Sequence, residues 1–199
     1  MRRLKLIVIT WPQFLEDEAA LLELLLDRGV WRIHLRKPDA SYMQLSDLLR
    51  QIAPKYHRKI VIHDHYELMH EFDLAGVHLN QRNQNHPNAS SPYSCSCHSI
   101  GELSLYRQKV RYMFLSPVFD SISKAGYGKK FTHAELHNAT QSNIIGSDTI
   151  ALGGIDAENI KIITQYGFGG VAVLGALWLP YVAIPDRELL IHTLDKLLR

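Results

Sequence analysis

The chain has 199 residues, of which 46% are hydrophobic and 21% are charged, and its 22 Lys and Arg against 20 Asp and Glu give a net charge of +2. These values exclude a disordered chain and give no argument for nucleic-acid binding. Two cysteines, Cys95 and Cys97, can form neither a disulfide framework nor a zinc ribbon, so we expect a reducing, cytoplasmic setting.

The first half of the chain alternates short apolar runs with helical patterns. Residues 4–10 predict a buried strand and not a signal peptide, because the apolar run is short and acidic residues follow at 16–18. The pattern then predicts, in order, a helix over 14–28, a strand over 31–35, a helix over 41–56, a strand over 59–63, a short helix over 66–71 and a strand over 75–79. No apolar run is long enough to span a membrane.

The second half continues the alternation. It predicts, in order, a strand over 93–97, a helix over 99–109, a strand over 111–115, a helix over 133–141, a strand over 149–152, a helix over 156–166, a strand over 170–174 and a helix over 186–198. Ser99 and Glu102 have the spacing of a capping box. A further short helical stretch follows the last strand at Gly175.

Eight short strands rich in Val, Ile and Leu indicate a parallel sheet that is buried on both faces. We therefore predict an α/β protein in which residues 1–199 form one domain, a small (β/α)8 TIM barrel. A doubly wound open sheet is the alternative, but its G-x-G-x-x-G motif is absent after the first strand. Two long segments, 80–92 and 116–132, follow strands and would lie at the active-site face of a barrel.

Polar residues follow nearly every predicted strand, where barrels carry their chemistry. These residues are His34, Arg36, His63, Asp64, His78, Gln81, Ser96, His98, Ser116 and Lys124. The turns at Gly153–Gly154 and at Gly175 follow strands seven and eight, where barrels commonly bind phosphate. The cations Arg36, Lys37 and Lys124 favour an anionic ligand.

A metal site at His63, Asp64 and His65 is an alternative, because two histidines that are two residues apart in a strand share a face. It would make the protein a metal-dependent hydrolase. Bound zinc in the purified protein would support that hypothesis.

The chain resembles the thiamine phosphate synthase/TenI family, a family of small (β/α)8 barrels of thiamine biosynthesis. The resemblance is carried in order by residues 33–37 (IHLRK), 62–65 (IHDH), 76–81 (GVHLNQ), 96–99 (SCHS), 116–124 (SPVFDSISK), 152–155 (LGGI) and 170–173 (GVAV). It implies one of two activities. The synthase joins a hydroxymethylpyrimidine diphosphate to a thiazole phosphate with Mg²⁺ and releases pyrophosphate, whereas TenI-type members isomerise a thiazole phosphate carboxylate to its aromatic tautomer.

The resemblance also implies roles for individual residues. Residues at positions that bind the diphosphate or magnesium are Arg36, Asp64, Ser96 and Lys124. Gly153, Gly154 and Gly175 stand where the family holds the thiazole phosphate. Ser121 and Ser123 replace the usual threonines, and His34 and His63 stand at substrate-binding positions. His98 stands at the position of the catalytic histidine of the tautomerases.

Departures from the synthase pattern favour the tautomerase. His34 replaces a glutamine, Pro38 stands at the position of a lysine, and Asn83 stands where a second magnesium carboxylate is expected. Loss of that charge weakens a Mg²⁺–diphosphate site, whereas an imidazole with a pKa near 6.5 suits proton exchange.

We therefore expect a thiazole phosphate tautomerase in which His98 transfers the proton and no cofactor is needed. The alternatives are an active synthase, with Mg²⁺ on Asp64 and hydroxymethylpyrimidine diphosphate as second substrate, and a non-catalytic regulator that binds the thiazole phosphate. We expect no nucleic-acid or membrane partner. Because members of the family are often dimers, a homodimer is one assembly that we consider.

Overall fold

The computed structural model describes residues 4–80, 93–120 and 131–199. Its strands are β1 (Lys5–Ile9), β2 (Arg32–Leu35), β3 (Ile60–Ile62), β4 (Gly76–Leu79), β5 (Tyr93–Cys97), β6 (Tyr112–Leu115), β7 (Thr149–Leu152) and β8 (Gly170–Val173). They form a closed barrel in the order β1-β2-β3-β4-β5-β6-β7-β8. This order confirms the predicted (β/α)8 barrel.

Helices alternate with these strands. They are α1 (Glu18–Asp27), α2 (Tyr42–Gln51), α3 (Leu68–Glu71), α4 (Ile100–Tyr106), α5 (His133–Gln141), α6 (Ile160–Ile163), α7 (Gly175–Ala183) and α8 (Arg187–Leu198), with 3₁₀ turns at Pro54–Lys59 and Thr164–Tyr166. Capping boxes begin α2, from Ser41 and Gln44, and α5, from Thr132 and Glu135. Among the described helices, none has the length and apolar character needed to cross a bilayer.

The chain divides into two compact units, residues 7–94 (the N-terminal unit) and residues 95–199 with the start of the chain (the C-terminal unit). In the N-terminal unit, β1, β2, β3 and β4 pair in parallel, with His34 level with Val61 and Ile62 level with Val77. In the C-terminal unit, β6, β7 and β8 pair in parallel. The organisation into one domain over residues 1–199 stays a prediction.

Several predicted helices were too long: α3 begins at Leu68 and not at residue 66, α4 ends at Tyr106 and not near residue 109, and three others differ as follows. α1 begins at Glu18 and not near residue 14, after Asp17 in the left-handed region at φ 52°. The helix over 41–56 ends at Gln51, because a residue before a proline disfavours helical backbone and Pro54 follows. The helix over 156–166 shrinks to α6 and a 3₁₀ turn, and in the turn before α6 the Asp156 carboxylate accepts hydrogen bonds from the Glu158 and Asn159 backbone N–H groups.

The apolar faces of the strands form the core. In β1, Ile7 and Val8 are completely buried, as the apolar run at the start of the chain predicts. In β3 and β7, Ile60, Ile62 and Ile150 are buried in the same way. Cys95 and Cys97 are buried free cysteines.

Candidate active site

Three histidines meet on one face of β2, β3 and β4 in the N-terminal unit. His34 lies in β2, His78 lies in β4, and His63 directly follows β3. The His34 Nδ1 atom lies 2.9 Å from the His63 Nε2 atom, and the His63 and His78 rings stack with centroids 4.3 Å apart. The Nδ1 atom of His78 lies 2.9 Å from the Ser94 hydroxyl in β5. The polar ends of these strands therefore form one cluster, in which two hydrogen-bonded pairs are joined by the stacked rings of His63 and His78.

Burial keeps the imidazoles of His34 and His78 neutral. The pKa of His34 is held well below its ordinary value, first because the ring is buried and then by the charges of His78 and Arg32. Burial lowers the pKa of His78 to about 3, with a further contribution from the Arg36 guanidinium. At neutral pH both rings therefore present lone pairs.

The other expected residues of the N-terminal unit lie beside this cluster or away from it. Arg36 is half-buried, its backbone N–H donates to the Thr10 hydroxyl, and its charge acts on His78. Asp64 is half-buried directly after His63. His65, in contrast, has φ 53° and its Nε2 atom lies 3.1 Å from the Ala40 carbonyl oxygen. His63 therefore joins His34 and His78 and not His65, because the left-handed backbone at His65 breaks the strand alternation.

Lys37 is not the ligand-facing cation that we expected. Its side chain is buried, and its ammonium donates to both oxygens of Glu18 at 2.6 and 2.7 Å and to the carbonyl oxygens of Trp11 and Gln13. Burial raises the pKa of Glu18 and lowers the pKa of Lys37, while their mutual attraction opposes both shifts. Lys37 therefore connects the segment before α1 to β2.

In the C-terminal unit, β5 positions Ser96 and His98, both half-buried. The His98 Nδ1 atom lies 3.0 Å from the Ser116 carbonyl oxygen, and the His98 backbone N–H donates to Glu102 at 2.6 Å. Because a carbonyl oxygen only accepts, Nδ1 carries the proton and Nε2 carries the lone pair of the neutral ring. Glu102 makes this contact in place of the second half of the expected capping box, while its own N–H donates to Ser99.

Gly153 and Gly154 lie in a tight turn after β7, with φ 94° and 65°. A Cβ atom on Gly153 would lie 2.8 Å from Pro117 Cα, and one on Gly154 would overlap the Asp120 carbonyl oxygen. Backbone N–H groups of Val118 and Phe119 donate to the carbonyl oxygens of Leu152 and Gly153. The turn after β7 is therefore packed against the segment that follows β6, to which His98 is also bonded through Ser116.

Gly175 is the first residue of α7, a nine-residue helix. Residue Leu174 precedes it and makes no side-chain capping bond, in contrast to the capped helices α2, α4, α5 and α8. The first backbone N–H groups of a helix have no partner within the helix and attract anions. The start of α7 can therefore bind a phosphate group.

Part of the expected site lies outside the described residues. These positions are Gln81, Asn83, Ser121, Ser123 and Lys124. Among the described positions, Asp64 supplies a carboxylate, the oxygen donor that Mg²⁺ prefers. A single carboxylate fits Mg²⁺ when substrate phosphates and waters complete the coordination.

Sequence reasoning recognised His78 as a strand-end residue but missed its place in a cluster with His34 and His63, and it missed Ser94. The register of three consecutive parallel strands was the signal that could have predicted the cluster, because residues that are level, or offset by two positions, share a face. The hydrogen bond from the His98 backbone N–H to Glu102 could not be predicted, because the spacing of Ser99 and Glu102 indicates only a helix cap.

The fold and the two sets of strand-end residues are those of a small parallel (β/α)8 barrel with a tight glycine turn after β7. The family model for thiamine monophosphate synthase matches residues 6–177. The chain belongs to this family, which confirms the resemblance found in its sequence.

Individual relatives agree with this assignment. The crystal structure of thiamine phosphate pyrophosphorylase from Bacteroides thetaiotaomicron is 40% identical with a TM-score of 0.87, covering 98% of this chain and 95% of that one. Thiamine-phosphate synthase from Limosilactobacillus reuteri is 24% identical over 191 residues, covering 88% of this chain and 84% of the relative. Thiamine phosphate pyrophosphorylase from Pyrococcus furiosus, at 21% identity and a TM-score of 0.73, shares the fold over 100% of this chain and 98% of its own.

Proposed function

We propose that the protein is a thiamine-biosynthesis enzyme that binds a thiazole phosphate carboxylate and isomerises it to its aromatic tautomer. The observation that carries this proposal is the hydrogen bond between His98 Nδ1 and the Ser116 carbonyl oxygen. This bond keeps a proton on Nδ1 and directs Nε2 towards proton exchange with the substrate: Nε2 takes a proton from the thiazole ring carbon and then returns it to the second site.

The substrate phosphate binds at the Gly153–Gly154 turn and at the start of α7 in this proposal. The positive φ angles and the close approach of Pro117 explain why glycine is needed in the turn. The helix start offers backbone N–H groups and a favourable dipole to the phosphate. Ser96 and, outside the described residues, Ser121, Ser123 and Lys124 complete the substrate-binding set.

The test compares tautomerase activity of the wild-type chain with that of His98→Gln, because glutamine keeps a hydrogen-bonding side chain but cannot exchange a proton near neutral pH. We expect kcat to fall about 10²–10⁴-fold, the range typical of general acid–base catalysis, with little change in substrate affinity. His137→Gln is the matched control, since His137 is an exposed histidine on α5. Full activity of His98→Gln would contradict the proposal.

A second candidate is an active thiamine phosphate synthase, which is the activity that the names of the relatives give, including that of the 40% identical structure. Asp64 would hold Mg²⁺, which would neutralise charge on the diphosphate leaving group. Arg36 would bind the diphosphate of hydroxymethylpyrimidine diphosphate, and His34 and His63 would contact the same substrate.

One assay separates these candidates. The chain is given both substrates with and without Mg²⁺, and thiamine phosphate and pyrophosphate are measured. Mg²⁺-dependent product that Asp64→Asn abolishes would establish the synthase. Tautomerisation without coupling would support our first proposal, and tight thiazole phosphate binding without either reaction would indicate a regulator.

A further inference from the structure

We propose that His34, His63 and His78 bind a divalent transition-metal ion of the Zn²⁺ type. Their candidate ligand nitrogens all lie within 4.8 Å of one another. The strand register explains why they converge, since β2, β3 and β4 are neighbours and the three residues occupy levels that share one face. The site lies within the N-terminal unit and does not depend on the activity proposed for His98.

The geometry is close to that of a metal centre. A tetrahedral ion with Zn–N bonds of about 2.0–2.1 Å separates its nitrogens by about 3.3 Å. The 2.9 Å between His34 Nδ1 and His63 Nε2 has to open slightly, and the widest separation has to close. The His34 ring centroid lies 5.1 Å from those of both His63 and His78, so the three rings are already adjacent.

Ser94 orients one of the ligands. Its hydroxyl lies 2.9 Å from His78 Nδ1, so it can accept a hydrogen bond from Nδ1–H, and the lone pair of His78 is then on Nε2, where it can bind the ion. Metal-bound histidines almost always donate their second ring N–H to such a partner, which fixes the tautomer and the ring orientation.

The donors and their surroundings select the class of metal. Imidazole nitrogens suit zinc, copper, nickel and iron, whereas Mg²⁺ and Ca²⁺ require oxygen ligands. His34, His63 and His78 are 0%, 4% and 1% exposed, so the ion would be held away from bulk water. Three protein ligands leave a fourth position for a water molecule or a substrate atom.

The test uses the full chain, without an affinity tag, after treatment with a chelator. Co²⁺ is titrated as a visible-absorption probe, and Zn²⁺ then displaces it. We expect one equivalent of Co²⁺ to give the intense d–d bands of a four- or five-coordinate ion, and Zn²⁺ to raise Tm until one equivalent is bound. His34→Gln and His78→Gln should lose this binding, and Ser94→Ala should weaken it about 10- to 100-fold.

Two variants are controls. His70→Gln removes an exposed histidine of the same unit, and His65→Gln removes the histidine that lies beside Ala40; both should bind Co²⁺ like the wild type. If His34→Gln does not fold, as judged by circular dichroism, Ser94→Ala and the Zn²⁺-dependent Tm of the wild type decide the question. Absence of binding at one equivalent, or binding that His65→Gln removes while His34→Gln and His78→Gln retain it, would overturn the proposal.

Discussion

The buried side chain of Lys37 has a structural role, whereas its position in the sequence suggests a ligand-binding one. The Lys37 ammonium is enclosed by the Glu18 carboxylate, two carbonyl oxygens and the Phe14 ring, whose centroid lies 4.8 Å away. As a residue adjacent to Arg36, it looks in the sequence like a second cation for an anionic ligand. The sequence contained no sign of its partner, because Glu18 lies 19 residues earlier.

Removing one partner of this ion pair should destabilise the protein strongly. Lys37→Met leaves Glu18 buried without a counter-charge, and we expect the free energy of unfolding to fall by about 3–5 kcal/mol. The double variant Glu18→Gln/Lys37→Met should lose less than Lys37→Met alone, because no unpaired charge remains buried. Urea unfolding measures both.

The matched control is Arg58→Met, which removes the pair of Arg58 with Asp73, whose side chains are 78% and 70% exposed. An exposed pair contributes about 0–1 kcal/mol. Equal losses for Lys37→Met and Arg58→Met would contradict the interpretation of Lys37.

The buried histidines predict how stability depends on pH in the metal-free protein. Folding lowers the pKa of His34 and His78, so the unfolded chain binds more protons once the pH falls below about 6.5. The free energy of unfolding should therefore fall with decreasing pH between about 6.5 and 3, with a slope of up to about 1.4 kcal/mol per pH unit for each histidine.

Denaturant unfolding at several pH values measures this slope. His78→Gln should reduce it, whereas His70→Gln should leave it unchanged, because His70 is exposed. A slope that is unaffected by His78→Gln would show that other groups dominate the acid sensitivity.

Among the elements, the turn after β7 combines conformational and steric demands on glycine. Gly154→Ala has to adopt φ 65° and also displace the backbone at Phe119 and Asp120. We expect a loss of well over 1 kcal/mol in the free energy of unfolding, together with weaker thiazole phosphate binding. Thermal unfolding with and without the ligand measures both effects.

Gly101 provides a control of opposite sign. It lies in α4, and a Cβ atom there would have nothing within 4 Å. Gly101→Ala should therefore stabilise the protein by about 0.5–1 kcal/mol through helix propensity. A stable Gly154→Ala variant with normal ligand affinity would remove the argument for a phosphate-binding turn.

Element types were predictable wherever the local pattern decided them. β5, α5 and β7 have the predicted bounds, and Thr132 caps α5 as a threonine before a helix should. The start of α1 after Asp17 was not predictable, because it depends on a residue in the left-handed region. The contact of Glu102 with His98 was also not predictable, because Ser99 and Glu102 have the spacing of a complete capping box in the sequence.

For the whole molecule, the order of strands in the barrel agrees with the order predicted from eight repeated apolar runs. Paired parallel strands are far apart in the chain, so local patterns do not show which strands pair. The strand order could still be predicted, because alternating strands and helices are compatible with few topologies. The histidine cluster was harder to predict, because it depends on register and not on strand order.

The prediction of one domain over residues 1–199 can be tested by calorimetry. We expect one unfolding transition whose calorimetric and van't Hoff enthalpies agree, because a single cooperative domain unfolds in an all-or-none manner. Separate transitions assignable to residues 7–94 and 95–199 would contradict it. Thiazole phosphate should raise the Tm of that single transition, since a ligand that binds only the folded state stabilises it.

The enclosure of Lys37 also gives this protein an internal probe of motion. An amine-reactive label should modify exposed lysines quickly and should reach Lys37 only when the segment around Trp11 and Gln13 opens. The labelling rate of this one side chain, followed by mass spectrometry of peptides, would therefore report how often the connection between β1 and α1 comes apart in the native state.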